Sequence, residues 1–164
     1  MAEFEKDDEL PEFYLQPGES ELVTEPTLLR TLLGSCVGVA FWVPGMGIGA
    51  LCHPMLPRLP ARAANSGKAR RRYVDYTIRE MAQRIDKLGV PRTGVQVKLF
   101  GGADVLQVQT DSQRPTVGKM NQDVASSVLA DEGFVVVAAS LGGNRGIQIA
   151  FNTGTGEVLL RRLN

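Results

Sequence analysis

Val37-Gly-Val-Ala-Phe-Trp-Val43, Pro44-Gly45, Met46-Gly-Ile-Gly-Ala-Leu-Cys52: this stretch decides the fold. The first run is rich in β-formers, the second is small and apolar, and the Pro-Gly pair between them signals a turn. The reading is a β-hairpin. A symmetric loop centred on Pro44-Gly45 pairs Trp42 with Gly47, Val39 with Ala50 and Cys36 with His53. Pro-Gly is not a preferred two-residue hairpin turn, so a four-residue loop is expected. Side chains alternate between faces. One face carries Val37, Val39 and Phe41 with Ile48, Ala50 and Cys52, and is core. The other carries Cys36, Gly38, Ala40 and Trp42 with Leu51 and His53, and its small residues leave room for a substrate side chain.

Downstream of the hairpin, Val74, Ile78, Met81, Ile85 and Leu88 recur at spacings of four and three, which predicts a helix with one apolar stripe. Gly89 and Pro91 end it. Val95, Val97 and Leu99 alternate as a half-buried strand that closes at Gly101-Gly102. Asn121 to Asp131 reads as a second helix. Three strands follow, Phe134 to Ala139, Ile147 to Phe151 and Val158 to Arg162, the last two joined at Gly154-Thr155-Gly156. Strands outnumber helices and often follow one another through short turns, which favours α+β over a doubly wound parallel sheet. The expected architecture is a single-domain layered α/β sandwich. It has mixed, largely antiparallel sheets and two main helices packed outside.

The 164 residues suit one domain, and 43% hydrophobic with 22% charged residues supplies a core. Residues 1–20 are acidic, carry Pro11, Pro17 and Gly18, and read as a flexible tail or a loosely docked strand ahead of a domain at 21–164. Net charge is zero, so no global field draws the chain to nucleic acid or membrane. Between Pro26 and Val74 there is no acidic residue, while Arg30, Arg58, Arg62, Lys68, Arg70, Arg71 and Arg72 all fall there. Arg58 to Arg72 reads as a long basic loop. No helix-turn-helix, zinc-finger or RNP pattern accompanies these charges, which argues against nucleic acid. No apolar run approaches the roughly 20 residues of a membrane span. The opening residues lack a basic signal-peptide region. The expectation is a cytoplasmic protein with reduced thiols.

Two side chains suggest chemistry. A thiol attacks as thiolate, and an adjacent imidazole both takes its proton and stabilises the anion. His53 is the only histidine, so any imidazole-dependent step must use it. Opposed residues on neighbouring strands have Cβ atoms about 4.5–5.5 Å apart, within reach of such a pair. Gly34-Ser35 before Cys36 offers backbone amides for a developing oxyanion. Spacing alone does not separate a catalytic pair from two structural residues. Two cysteines are too few for a disulfide framework, and the count leaves one bridge open. Metal binding is disfavoured because Cys52 points to the opposite face from Cys36 and His53. No nucleotide-binding glycine motif is present.

Several blocks then carry a resemblance. Thr31-Leu-Leu-Gly-Ser-Cys-Val-Gly-Val39 is followed by Cys52-His-Pro-Met-Leu-Pro57. After these come Lys98-Leu-Phe-Gly-Gly-Ala103, Val117-Gly-Lys-Met-Asn121, Leu141-Gly-Gly-Asn-Arg-Gly146 and Phe151-Asn-Thr-Gly-Thr-Gly-Glu-Val158. Together they resemble the CheD family of chemoreceptor glutamine deamidases, from about Thr31 to Leu163. The resemblance implies a Cys–His–Thr site: Cys36 as nucleophile, His53 as base and Thr31 as third member, with Thr27 the alternative. Ser35 falls at the oxyanion position. In an unbroken strand Thr31 would point away from the Cys36 face, so a bend at Gly34-Ser35 is required. The family implies no cofactor and no metal. Its substrates are methyl-accepting chemotaxis receptors, and a CheC-type phosphatase is an implied partner. A non-catalytic regulator of that phosphatase is the competing reading. If the basic loop docks the receptor, deamidation weakens with added salt. Gly101, Gly102, Gly142 and Gly143 are expected in tight turns, and Asn144 and Arg145 in structural roles.

Overall fold

A computed structural model of the chain describes residues 9–62, 66–105 and 114–164. The hairpin is present as β4 (Val37–Val43) and β5 (Ile48–Cys52), with a four-residue loop between them. The register differs from the expected one. Val39 pairs with Cys52, Phe41 with Ala50 and Trp42 with Gly49. Gly45 and Gly47 both take positive φ, so the loop closes over Pro44 to Gly47, one residue further along than a Pro44-Gly45 centre would have it. Each pairing therefore slides by two residues, and Cys36 and His53 are not directly opposed. A shift of two preserves side-chain parity, and the two faces are those the sequence assigned.

Among the described residues nine strands form two sheets. The five-stranded sheet runs β2 (Ser20–Val23), β5, β4, β6 (Gln96–Gly101), β7 (Val135–Leu141). The four-stranded sheet runs β1 (Glu12–Tyr14), β3 (Leu28–Leu33), β8 (Ile147–Asn152), β9 (Val158–Arg162). Of these strand pairs β1–β3 and β6–β7 are parallel and the others antiparallel. The helices are α1 (Gly67–Arg70), α2 (Val74–Lys87) and α3 (Val117–Asp131). This is the mixed α+β sandwich that the sequence predicts, with both main helices on one side of the five-stranded sheet.

Two apolar layers hold it together. On the helix side, Val74, Ile78, Met81 and Ile85 of α2 meet Val39, Phe41, Ala50 and Cys52 of the hairpin, with Val124, Val128 and Leu129 of α3 beside them. Burying each such side chain contributes about 1.5–3 kcal/mol. Between the sheets, Leu29, Leu33, Ile149 and Phe151 pack on Ala40, Leu51 and Phe100. The small residues of this second hairpin face do not open a substrate site, contrary to expectation. A Cβ at Gly38 would lie 2.8 Å from Leu33 Cδ1, and one at Gly49 would lie 2.6 Å from Thr153 Cγ2. Small size there lets the two sheets approach.

Other boundaries differ for local reasons. The second helix begins a turn earlier than Asn121, because the Thr116 hydroxyl accepts from the Lys119 amide and caps it. The basic loop contains α1, capped by Ser66, and Arg71 is held by Glu80 at 2.6 Å. Residues 63–65 of that loop lie outside the described residues, as do residues 1–8 of the expected tail. From Glu12 the same N-terminal segment takes the docked form. β1 pairs with β3, Glu12 meets Arg30 at 2.6 Å, and Leu15 is wholly buried between the sheets.

Candidate active site

The chain passes from one sheet to the other between β3 and β4, through the bend Gly34-Ser35-Cys36. Three successive carbonyls of that bend are held from across the fold. Gly34 O accepts from Ala103 N at 2.9 Å and Cys36 O from Gly102 N at 2.8 Å. Ser35 O accepts from Asn121 Nδ2 at 2.9 Å. Gly101 is required beside them, since a Cβ there would overlap the Cys36 carbonyl oxygen and its φ is +94°. The bend also resolves the parity problem of Thr31. That residue shares the inward face of β3 with Leu29 and Leu33, and the change of sheet brings this face toward the Cys36 side of β4.

His53 follows β5 directly and is 1% exposed. A strap of N-terminal chain fixes its backbone: His53 N donates to Glu19 O at 2.9 Å, and Gly18 N donates to His53 O at 2.8 Å. Its ring Nδ1 lies 2.6 Å from the Thr31 hydroxyl, which donates to Leu15 O at 2.9 Å. A hydroxyl has one proton. With that proton on the Leu15 carbonyl, Thr31 can only accept from His53, so Nδ1 carries the ring hydrogen. Nε2 is then the unprotonated nitrogen, and it is buried with no hydrogen-bond partner among the described residues. Thr27, the alternative third member, donates to Glu25 O, and its amide is bonded by Thr153.

Cys36 and His53 line one cavity of about 580 Å³, together with Leu33, Gly34, Ser35, Val105, Asn144 and Arg145. A second, mostly apolar cavity of about 590 Å³ also meets Cys36, between Met55, Leu56, Val105 and Val117. Cys36 is half-buried, and burial pushes its thiol pKa up, while its own backbone N–H draws it back down. Burial lowers the His53 pKa to about 4. Both shifts favour the uncharged forms, so thiol and imidazole rest as a neutral pair at pH 7. Cys52 is a free thiol on the helix-side face, wholly buried, with its pKa pushed up to about 12 by desolvation. Among the described residues no group of three His, Cys, Asp or Glu side chains converges as a metal site would require.

Two features escaped the sequence. Asn121 is fully buried on α3, and its amide reaches both Ser35 O and, at 3.0 Å, Met55 O. A polar residue among inward positions of a helix was the available signal. The Leu15 carbonyl left no signal, because a backbone oxygen has no side-chain signature.

Fold and site together define a class: a two-sheet α+β protein in which a half-buried thiol and a hydroxyl-tethered imidazole open onto a shared cavity. The family model described as CheD chemotactic sensory transduction matches residues 55–162. Sequence relatives match a span that reaches upstream of residue 55 and includes positions 36 and 53. A Geobacter sulfurreducens protein named "Probable chemoreceptor glutamine deamidase CheD 2" is 44% identical over 155 residues, covering 94% of this chain and 92% of its own. A Maridesulfovibrio salexigens protein named "Probable chemoreceptor glutamine deamidase CheD" is 34% identical, over 92% and 91% of the two chains. One of the same name from Archaeoglobus fulgidus is 33% identical, over 85% and 86%. The chain belongs to the CheD family. A solved structure, the Bacillus licheniformis hypothetical protein YfiH, aligns at a TM-score of 0.49 and 13% identity over 74% of this chain and 50% of its own, a likeness too slight to inform the site.

Proposed function

We propose that the chain is a cytoplasmic protein-glutamine deamidase that converts glutamine side chains of methyl-accepting chemotaxis receptors to glutamate. The observation that carries the reading is the Thr31–His53 pair, which leaves a bare Nε2 on the imidazole that shares a cavity with the Cys36 thiol. Membership of a family whose relatives bear the deamidase name supports the substrate class. Among the described residues no helix is long and apolar enough to cross a membrane.

Because thiol and imidazole rest uncharged, proton transfer accompanies attack. His53 Nε2 takes the Cys36 proton as sulfur bonds to the side-chain amide carbon, and the carbonyl electrons move onto oxygen. Backbone amides at Ser35 and Cys36 hold that oxyanion. The imidazolium returns its proton to the leaving nitrogen, which departs as ammonia and leaves a γ-glutamyl thioester. Water then attacks the thioester, His53 takes one of its protons, and the thiolate leaves and is reprotonated. Thr31 holds the ring throughout, keeping the Nδ1 hydrogen in place as the cation forms. No metal or organic cofactor enters these steps.

The test is co-expression with a receptor, followed by mass spectrometry of receptor peptides and measurement of released ammonia. A Gln→Glu mass increase that disappears with Cys36→Ala is the expected result. Persistence of the increase in that variant removes the nucleophile assigned here. Ammonia release by the purified pair also separates an enzyme from a non-catalytic phosphatase regulator.

A further inference from the structure

We propose that Asn121 is a positioning residue, aiming the Cys36 backbone N–H at the oxygen of the tetrahedral intermediate; this rests on the deamidase reading above. Asn121 occupies the inward face of α3, in line with Gly118, Val124 and Ala125, and has no exposed surface. A buried carboxamide in such a place is unfavourable unless its polar atoms are satisfied. Here only the donors are used. Nδ2 gives its hydrogens to Ser35 O and Met55 O, while Oδ1 has no partner among the described residues. The side chain is retained for what it donates.

Its first acceptor belongs to the peptide plane that joins Ser35 to Cys36. In a trans peptide the C=O and N–H point in opposite directions, and the chain has no cis bond among the described residues. Drawing the Ser35 carbonyl toward α3 turns the Cys36 N–H away from α3. That N–H belongs to the same residue as the attacking sulfur, and it draws the thiol pKa down. The oxyanion oxygen, two bonds from sulfur through the attacked carbon, falls within its reach. The flanking carbonyls are fixed by Ala103 N and Gly102 N. Of the three ties on the bend, Asn121 supplies the only one made by a side chain, so it is the one that substitution can remove.

The experiment compares two reactions of one thiol. Alkylation of Cys36 by iodoacetamide displaces iodide and forms no oxyanion, whereas deamidation passes through one. Asn121→Asp keeps the shape but does not donate when ionised, and Asn121→Leu is an apolar counterpart. In both, kcat for receptor deamidation is expected to fall about 10²–10³-fold, the usual loss for an oxyanion donor. KM and the alkylation rate should stay within about 3-fold of wild type, with an unshifted alkylation pH profile. An equal fall in both reactions assigns Asn121 to packing, and a displaced pH profile assigns it to His53; either result overturns the proposal. The wild-type chain gives an answer independent of whether the variants fold. A peptide aldehyde bearing the glutamine analogue adds the thiol across its C=O, the sulfur bonding to carbon and the proton going to oxygen. A crystal structure of that hemithioacetal should show its oxygen on the Cys36 N–H, and an oxygen pointing elsewhere overturns the proposal. Deamidation surviving in Cys36→Ala sinks the parent reading instead, and the two failures are distinct.

Discussion

Cys36, in the bend just ahead of β4, and Cys52, at the end of β5, lie at one end of the same hairpin, yet they occupy different chemical environments. Cys52 faces α2 across a dry apolar layer, where desolvation holds its proton up to a pKa of about 12. Cys36 stands at the bend where the chain changes sheets, half-buried, with two cavities against it and His53 lining one of them. The difference comes from side-chain parity and from where the strand stops. A thiol inside a regular ladder is a small hydrophobe. A thiol at an interruption of the ladder has backbone amides and space beside it.

The contrast is broken most directly by exchanging the two thiols for alanine. Cys36→Ala should lower kcat/KM for receptor deamidation by about 10⁴-fold or more, as loss of a nucleophile does. Cys52→Ala should leave it within about 2-fold, since that residue only packs. A Cys52→Ala enzyme as inactive as Cys36→Ala would end the distinction.

The two faces should also set opposite limbs of the stability–pH profile. His53 has a folded pKa of about 4 against 6.5 unfolded. Between those values the unfolded chain binds more protons, so stability rises with pH through this window. That contribution, about 3 kcal/mol at most, is complete above pH 6.5 and lost as pH falls to 4. Cys52 is raised from 9.0 to about 12, so its contribution is complete below pH 9 and lost as pH climbs toward 12. Urea unfolding across pH should show the acid limb flattened in His53→Asn and the alkaline limb flattened in Cys52→Ala. Swapped limbs would mean the burial assignments are reversed.

Thr31 sharpens the comparison at a smaller scale. Thr31→Val removes the acceptor for Nδ1–H, and kcat should drop about 10–100-fold, matching roughly 1.5–3 kcal/mol for a hydrogen bond to a charged group. Thr31→Ser should recover most of it. Because the chain has a single histidine, ¹⁵N NMR of the imidazole reads the tautomer without ambiguity. A protonated Nδ1 and a bare Nε2 are expected in wild type, and the reverse pattern would discard the Thr31 assignment.

What the sequence disclosed depended on how local the determining contact is. The α2 stripe is a local 3.6-residue period, and it located the helix over Val74–Lys87 with Val74, Ile78, Met81 and Ile85 inward, while Leu88, expected to extend the stripe, falls just past the helix end and is exposed. The two hairpin faces were legible because alternation survives a slide of two residues. The register itself was not, since it turned on Gly47 joining Gly45 in a left-handed conformation. The need for a bend before Cys36 followed from parity once the resemblance had assigned Thr31 to the site, and the bend is there. The N-terminal strand was legible only as one of two alternatives, a docked strand or a flexible tail: three residues hold no period, and β1 is ordered by pairing with β3 and by burying Leu15. The inward face of the hairpin misled, because glycines that look like vacancy are filled by the opposite sheet. Asn121 interrupts an apolar face, and periodicity scores such a residue as noise.

The position of β3 has a consequence for biosynthesis. Its neighbours are β1, at 12–14, and β8, at 147–152. Thr31 therefore lies between one strand that leaves the ribosome early and another that leaves near the end. A nascent chain halted before β8 carries the thiol and the imidazole but lacks the partner that completes the sheet around Thr31. A chain truncated before β8 should thus lack the completed sheet that tethers the imidazole through Thr31, and should fall below the full-length chain in receptor deamidation.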